Sequence, residues 1–245
     1  MLSWMRCGIL VCAISISLSR RQKFGNVSET TASRNKRRAK IRFRGGKAVS
    51  ACVSGLILAA GKSTRLGAGP KQLLPWRGTT LLEWVVRQVE SSSLDEVLVV
   101  VGHQSEEVRG RVSLVRSRFV ETPDFGEGCS ASIRNGLKAV SPKAEAAVLI
   151  LGDQPEIDAA AIRAVVDGWD RSRSPVVRIS YRGHLGHPVL VSRTIFPQIE
   201  ALRGDKGVWK LLEAHPEWIQ EIELDLPHPR DVNTWEDYTS LTTGA

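Results

Sequence analysis

Short aliphatic runs alternate along the chain with segments in which apolar residues recur at helical spacing. Residues 80–90 show that spacing clearly, and Thr79 or Thr80 can serve as the N-cap of a helix there. This alternation predicts a Rossmann-like, mostly parallel α/β sheet with helices on both faces. The runs that are almost wholly apolar, as in strands buried on both faces, cover 53–59, 96–101 and 146–151.

Weaker patterns predict the remaining elements. Further strands are expected over 118–121, 176–181, 185–191 (a short strand after a turn) and 218–224 (an outer strand). Further helices are expected over 105–112, 130–140, 158–169, 194–202, 207–214 and 233–241. All of these fit a single domain over residues 53–245. Ligands of open α/β sheets bind beyond the carboxyl ends of the strands, so the informative loops follow Ala59, Val101, Glu121 and Leu151.

The positive charge of the chain is concentrated in its first 52 residues. The whole chain carries 34 Lys or Arg and 26 Asp or Glu, a net charge of +8. Residues 1–52 hold 12 of the basic residues and one acid, whereas residues 53–245 hold 22 basic and 25 acidic residues. A nucleic-acid surface needs basic residues clustered on a folded face. The body of the chain is therefore not expected to bind nucleic acid.

Residues 1–52 form a basic leader whose composition differs from that of the body. The apolar run over 7–18 resembles a signal-peptide core and is too short for stable membrane insertion, and residues 34–47 are basic and acid-free like a transit peptide. Three origins stay open: a start site placed too far upstream of Val49 or Val53, a transit or export signal, or a functional basic arm. N-terminal sequencing of the native protein distinguishes them.

Cysteine usage favours a reducing compartment. Of the four cysteines only Cys129 lies in the body, which has neither an internal disulfide nor a CxxC metal pair. A cytoplasmic location is therefore expected. The sequence ties no histidine or other base to Cys129, so a nucleophilic thiol is not expected.

A loop rich in glycines and cations follows the first strand. It runs from residues 59–61 through Arg65 to Lys71. Glycines let backbone N–H groups approach phosphate oxygens, and the cations offset the charge of a triphosphate. The loop is not a Walker A motif, because Leu56 stands where that motif has its first glycine, and a plain strand-to-helix turn is the alternative. The residues expected to bind the nucleotide here are Leu58, Ala59, Ala60 and Gly61.

The sequence LILAAGKSTRLGAGPKQLLPW over 56–76 closely resembles the signature of the MobA-like nucleotidyltransferases. Four later motifs follow in the family's order: GCSAS at 128–132, LGDQP at 151–155, GHP at 186–188 and DVNT at 231–234. Within the family, the chain is most similar to the molybdenum cofactor cytidylyltransferases. The resemblance implies a nucleotide-diphospho-sugar transferase-like fold, and transfer of CMP from CTP to a molybdopterin-type cofactor with release of pyrophosphate.

Asp153 is the main candidate for binding a metal ion. It follows the clearest central strand, beside the triphosphate loop, where a carboxylate can hold Mg²⁺ through one or two contacts. A helix N-cap is the alternative, but Asp158 already serves that purpose. The resemblance implies the same role for Asp153, and a second oxygen ligand near Asn233 or Asp231. A cap on the last helix is the alternative for Asn233.

Lys71 and Arg65 are expected to contact the phosphates and, with Asp153, to be the catalytic residues. The reaction needs positive charge where negative charge develops on the α-phosphate and on the leaving pyrophosphate. A solvated surface position is the alternative for both bases. Ser132, and more weakly Asp124, are expected to contact the base or ribose, unless Ser132 only forms the first turn of a helix.

His187 and Gly186 belong to a polar turn that resembles the acceptor-side segment of the family. They are therefore expected to contact the acceptor, with a purely structural histidine as the alternative. A zinc site formed by His184 and His187 is not expected, because no further ligand lies at a suitable spacing.

The resemblance also favours CTP over GTP. Guanylyl members of the family usually have Gly-Gly in place of Ala59-Ala60, and they lack the Leu-Pro-Trp found at 74–76. A molybdenum hydroxylase that receives the cofactor is an expected partner. Two alternatives stay open: transfer to a sugar phosphate or another small phosphorylated acceptor, and a catalytically idle module that delivers molybdenum cofactor. The presence of Lys71 and Asp153 argues against the idle module.

Overall fold

The computed structural model describes residues 51–67 and 69–244, so the predictions made for residues 1–50 lie outside the described residues. The strands found there are β1 (Val53–Leu58), β2 (Pro75–Trp76), β3 (Thr79–Thr80), β4 (Glu96–Val101), β5 (Ser117–Glu121), β6 (Ala146–Leu151), β7 (Val176–Tyr181), β8 (His184–Ser192) and β9 (Ile219–Leu224). The α-helices are α1 (Leu81–Glu90), α2 (Ser105–Arg111), α3 (Cys129–Ala139), α4 (Ala159–Ser172), α5 (Phe196–Glu200), α6 (Trp209–Ala214) and α7 (Trp235–Thr243).

Seven strands form one sheet in the order β5-β4-β1-β6-β8-β7-β9. β1 lies between β4 and β6 and pairs in parallel with both, so that Leu58 stands beside Val100 and Leu151. Within this sheet β8 alone runs antiparallel to its neighbours, β6 and β7. The prediction of a mostly parallel α/β sheet is confirmed. Because β1, β4 and β6 run in the same direction, the loops that follow them meet at one edge.

Helices cover both faces of the sheet, as the pattern predicts. On one face α1, α2 and α4 bury apolar side chains such as Val85, Val108 and Ile162 against the strands. On the other face α3 and α5 contribute residues such as Ile133 and Ile199. Strands sandwiched in this way need apolar residues on both sides, which explains why β1, β4 and β6 are almost wholly apolar.

A smaller apolar cluster joins the last helix to the region after the glycine loop. Trp76 and Leu81 pack with Val232 and Leu241, and Tyr238 of α7 donates a hydrogen bond from its hydroxyl to the Pro75 carbonyl oxygen at 2.7 Å. This cluster places the segment before α7 next to the loop that follows β1. The two are far apart in sequence, and no periodicity relates them.

Two elements differ from the predictions. The hairpin of β2 and β3 was not predicted; its two-residue turn at Arg77 and Gly78, with φ of 46° and 80°, is too short to leave a periodic pattern. The short strand predicted after a turn is the nine-residue strand β8, which starts directly after a second tight turn at Arg182 and Gly183. None of the helices among the described residues has the length and apolar character needed to cross a membrane.

Candidate active site

Lys71 joins the three segments that meet at the carboxyl edge of the sheet. It begins the short 3-10 turn Lys71–Leu73, Asp153 follows β6, and Asn233 precedes α7. The Lys71 ammonium group donates hydrogen bonds to Asp153 Oδ2 and, at 3.0 Å, to Asn233 Oδ1. The side chains of Lys71 and Asp153 are only 12% and 18% exposed. A half-buried ion pair of this kind holds its partners firmly in place.

The glycine loop is held in shape by side chains on either side of it. Ser63, in the left-handed region with φ of 55°, accepts a hydrogen bond from the Lys71 backbone N–H at its Oγ, at 3.0 Å. The buried Gln72 donates from Nε2 to the Ala59 carbonyl oxygen at 2.7 Å. The Trp235 indole N–H donates to the Leu66 carbonyl oxygen at 2.9 Å. The loop therefore has a defined conformation even though much of it is exposed.

The segment before α7 is shaped so that Asn233 faces Lys71. Thr234 is the N-cap of α7 and forms a capping box with Asp237. The alternative role of Asn233 as the cap is thus taken by its neighbour, and its amide oxygen accepts from Lys71. The Val232 backbone N–H donates to the Asp153 carbonyl oxygen at 3.0 Å, which fixes this segment against the end of β6.

A cleft of about 440 Å³ opens between these loops. It contains seven of the residues predicted from the sequence, namely Leu58, Ala59, Ala60, Gly61, Lys71, Ser132 and Asp153. Lys62, a cation of the predicted triphosphate loop, lines it too. The other lining residues are Gln72, Phe125, Gly126, Gly128, Cys129, Leu151, Gly152 and Asp205. The cleft is large enough for part of a nucleotide, and it carries both cationic and anionic groups.

The N-terminal turn of α3 forms one wall of the cleft. Gly128 adopts a φ of 95°, and a Cβ at this position would lie 2.2 Å from Asp205 Oδ1, so a larger residue has no room. Ser132 lies in the first turn of α3 and is 7% exposed at the cleft surface. A place in the first turn of α3 does not prevent a ligand contact, because Ser132 lines the cleft.

Cys129 is exposed at this wall, but its environment opposes a thiolate. Desolvation by the surrounding protein, with the negative charges of Asp153 and Asp205, raises the thiol pKa to about 11. The thiol is then protonated at neutral pH, which agrees with the expectation that Cys129 is not a nucleophile.

Two predicted site residues lie elsewhere. Arg65 sits at the exposed corner of the 63–66 turn and does not line the cleft, where Lys62 is the loop cation instead. Asp124 is bound within the protein: its carboxylate accepts hydrogen bonds from Arg134 at 2.9 Å and from Asn135 at 2.5 Å. It therefore braces the start of α3 rather than lining the cleft. The sequence spacing alone does not show either outcome.

His187 and Gly186 are buried and do not line the cleft. The His187 ring packs edge-on against Trp209, with ring centroids 5.7 Å apart, and its carbonyl oxygen accepts from the Tyr181 hydroxyl at 2.7 Å. Burial lowers the pKa of His187 to about 4. A Cβ on Gly186 would lie 2.7 Å from His228 Nε2, so this position requires glycine for close packing. Both residues have the surroundings of structural positions.

The oxygens of Asp153 and Asn233 are suitable ligands for a hard cation such as Mg²⁺. Mg²⁺ is usually bound through one or two carboxylates with water and substrate phosphates completing its shell, so a larger protein cluster is not needed. No group of three or more His, Cys, Asp or Glu side chains among the described residues could hold a metal ion. Asp231 accepts a hydrogen bond from Gln154 at 2.8 Å, and burial raises its pKa, which makes it the poorer ligand.

Comparisons with known proteins agree with this geometry. The model of the MobA-like NTP transferase domain matches residues 55–218. The nicotine blue oxidoreductase of Paenarthrobacter nicotinovorans is 30% identical over 196 residues, covering 78% of this chain and 93% of that protein.

Solved structures extend the match to the whole fold. A homologue of Mycobacterium tuberculosis Rv0371c from Mycobacterium sp. strain JC1 is 40% identical with a TM-score of 0.73, over 78% of this chain and 96% of that one. The manganese complex of Rv0371c itself, from M. tuberculosis H37Rv, is 36% identical with a TM-score of 0.70, over 79% and 100% of the two chains. The described residues adopt the nucleotide-diphospho-sugar transferase-like fold, and the chain belongs to the MobA-like NTP transferase family.

Proposed function

We propose that the protein transfers CMP from CTP to a molybdopterin-type acceptor and releases pyrophosphate. The observation that carries the proposal is the cluster of Lys71, Asp153 and Asn233 at the mouth of the cleft behind the 59–61 loop. A half-buried cation beside two hard oxygen ligands suits a reaction that proceeds by charge neutralisation and positioning. Family membership alone does not fix the reaction, since one relative is named an oxidoreductase.

In this reaction a phosphate oxygen of the acceptor attacks the α-phosphorus of CTP, and the bond from that phosphorus to the pyrophosphate oxygen breaks. The backbone N–H groups of Ala60 and Gly61, with Lys62 and Lys71, hold the triphosphate, while the Ala59 N–H is bonded to the Val100 carbonyl oxygen. Asp153 and Asn233 would hold Mg²⁺, which supplies Lewis-acid stabilisation of the phosphate charge when bound. Lys71 then neutralises the charge that develops on the leaving pyrophosphate. Arg65 can contact the phosphates only if the exposed 63–66 turn moves towards the cleft.

The choice of cytidine rests on the resemblance of Ala59-Ala60-Gly61 and Leu74-Pro75-Trp76 to cytidylyl members of the family. The choice of a molybdopterin-type acceptor rests on the same resemblance, and a molybdenum hydroxylase is the recipient we propose. The cytoplasm is the compartment we propose, because the body contains a single cysteine.

Pyrophosphate release tests the proposal directly. The protein is incubated with Mg²⁺, each NTP in turn, and molybdopterin with or without molybdenum, or a panel of sugar phosphates. We expect release with CTP and molybdopterin. Release only with a sugar phosphate supports transfer to that acceptor instead, and no release with any pair supports the idle delivery module.

Asp153→Asn is the matching variant, because it removes the charge of the metal ligand and keeps its size. We expect turnover to fall at least about 100-fold and Mn²⁺ affinity to fall with it, while circular dichroism shows that the fold stays intact. Asp167→Asn, at an exposed position on α4, is the control. Wild-type turnover in Asp153→Asn would remove this residue from the reaction.

A further inference from the structure

The Lys71 ammonium group is bound by the same two side chains that the proposed reaction assigns to a metal ion. It donates hydrogen bonds to Asp153 Oδ2 and, at 3.0 Å, to Asn233 Oδ1. In the part of the chain that the structure describes, it hydrogen-bonds to no other side chain. The proposed reaction also needs this ammonium group at the phosphates. Lys71 therefore has two places to bind, and it is found at the carboxylate.

Asp153 lies where a negative charge without a cation beside it is unfavourable. Its side chain is only 18% exposed, and Lys71 is its ion-pair partner. Burial and the charge of Asp153 raise the pKa of the neighbouring Asp231, and Asp205, on the loop between α5 and α6, adds a further acid to the cleft. A half-buried carboxylate among other acids is stable only beside a cation. Lys71 supplies that cation before any ligand has bound.

The backbone of Lys71 is fixed, whereas its side chain is free to rotate. The Lys71 backbone N–H donates to Ser63 Oγ at 3.0 Å, and the next residue, Gln72, donates from Nε2 to the Ala59 carbonyl oxygen at 2.7 Å. Lys71 also lines the cleft. Because the lysine side chain is long and flexible, rotation moves the ammonium group from Asp153 into the cleft while the loop keeps its shape.

The Lys71 ammonium group competes with a divalent cation for Asp153 and Asn233. Both cations bind the same side-chain oxygens, and like charges held this close together repel each other. A triphosphate in the cleft attracts the same ammonium group, because charged hydrogen bonds to phosphate oxygens are strong. Metal ion and triphosphate therefore both favour the arrangement in which Lys71 has left Asp153.

We propose that Lys71 is a tethered counterion that closes the metal site until a triphosphate draws it into the cleft. This inference rests on the proposed function, because it takes Asp153 and Asn233 to be the metal ligands. The protein alone then binds a divalent cation weakly, since most molecules hold Lys71 at those oxygens. Triphosphate and metal ion bind cooperatively, because each shifts the same equilibrium between two positions of one side chain.

Lys71→Met tests the inference, because it keeps the length of the side chain and removes the ammonium group. The full chain is titrated with Mn²⁺ in the absence of nucleotide, and electron paramagnetic resonance of the free ion measures binding. If the site is open in fewer than about one wild-type molecule in ten, the affinity for Mn²⁺ rises at least about tenfold in the variant.

Lys62→Met is the matched control for the loss of a positive charge. Lys62 lines the same cleft and is exposed, and in the described part of the chain it pairs with no carboxylate. Because solvent and salt screen an exposed charge, we expect a much smaller change in Mn²⁺ affinity than in Lys71→Met.

A second measurement frees Lys71 from the other side of the ion pair. CTP is titrated calorimetrically in the presence of EDTA against wild type, Asp153→Asn and Asp205→Asn. Each variant removes one negative charge from the cleft, but only Asp153→Asn releases the ammonium group. We expect CTP affinity to rise at least about fivefold in Asp153→Asn, and to rise less in Asp205→Asn.

Equal Mn²⁺ affinities of wild type and Lys71→Met overturn the inference, and so does weaker binding by Lys71→Met, which would show that Lys71 supports the metal site. An equal effect of the two aspartate variants on CTP affinity overturns it as well. The proposed function fails in a different way: Asp153→Asn then binds Mn²⁺ as tightly as the wild type, and Asp153 is not a metal ligand.

Discussion

At the scale of single residues, His187 makes stability depend on pH. Its pKa is lowered by burial to about 4, from an ordinary value of 6.5. A histidine with a lowered pKa stabilises the fold fully above pH 6.5, and this contribution is lost as the pH falls towards 4, because the unfolded chain binds the proton more readily. A shift of this size corresponds to about 3 kcal/mol.

His187→Phe tests this dependence, since it keeps a ring against Trp209 and cannot be protonated. We expect the free energy of unfolding of the wild type to fall between pH 6.5 and 4, and to fall by about 3 kcal/mol less in the variant. Urea denaturation at a series of pH values measures both. Equal losses in the two proteins would show that other groups cause the acid sensitivity.

At the scale of elements, α7 controls the shape of the glycine loop. The Trp235 indole N–H donates to the Leu66 carbonyl oxygen, and the turn at Leu66 leads back to Ser63 and hence to the Lys71 backbone. Trp235 is 43% exposed, so this contact is not explained by core packing. A helix more than 160 residues away in sequence thus orders the nucleotide loop.

Trp235→Phe removes the N–H donor and keeps an aromatic ring. Because one hydrogen bond contributes about 1 kcal/mol, we expect the affinity for CTP to fall about fivefold, with little change in thermal stability. Isothermal titration with CTP measures the effect. Trp218→Phe, outside the cleft, is the control, and an equal affinity in Trp235→Phe would show that the loop keeps its shape without α7.

At the scale of the whole molecule, the buried apolar clusters of the described residues lie between Ala51 and Leu241. A chain that begins at Lys47 keeps all of them. We therefore expect it to unfold at the same midpoint as the full chain and to release pyrophosphate at the same rate. Parallel thermal scans and assays check this. A midpoint lower by more than about 4 °C, or roughly 1 kcal/mol, would show that residues 1–46 contribute to the fold.

Across the whole molecule, the sequence predicts local features better than contacts between distant segments. Local signals were sufficient for the buried strands and for caps such as Thr80 and Asp158, because apolar runs and capping side chains act on neighbouring residues. Contacts between segments that are far apart in sequence could not be predicted from such local signals. Asp205 carries no motif, although the flanking glycines at 204 and 207 marked a tight loop, and the partners of Asp124 depend on how α3 packs.

The contact of Lys71 with Asn233 spans 162 residues of chain. During translation the glycine loop leaves the ribosome long before the segment that orders it has been synthesised. A nascent chain that has reached Gln154, just past β6, contains Lys71 and Asp153 but lacks Asn233 and Trp235. We therefore expect the growing polypeptide to bind nucleotide only after the start of α7 has emerged.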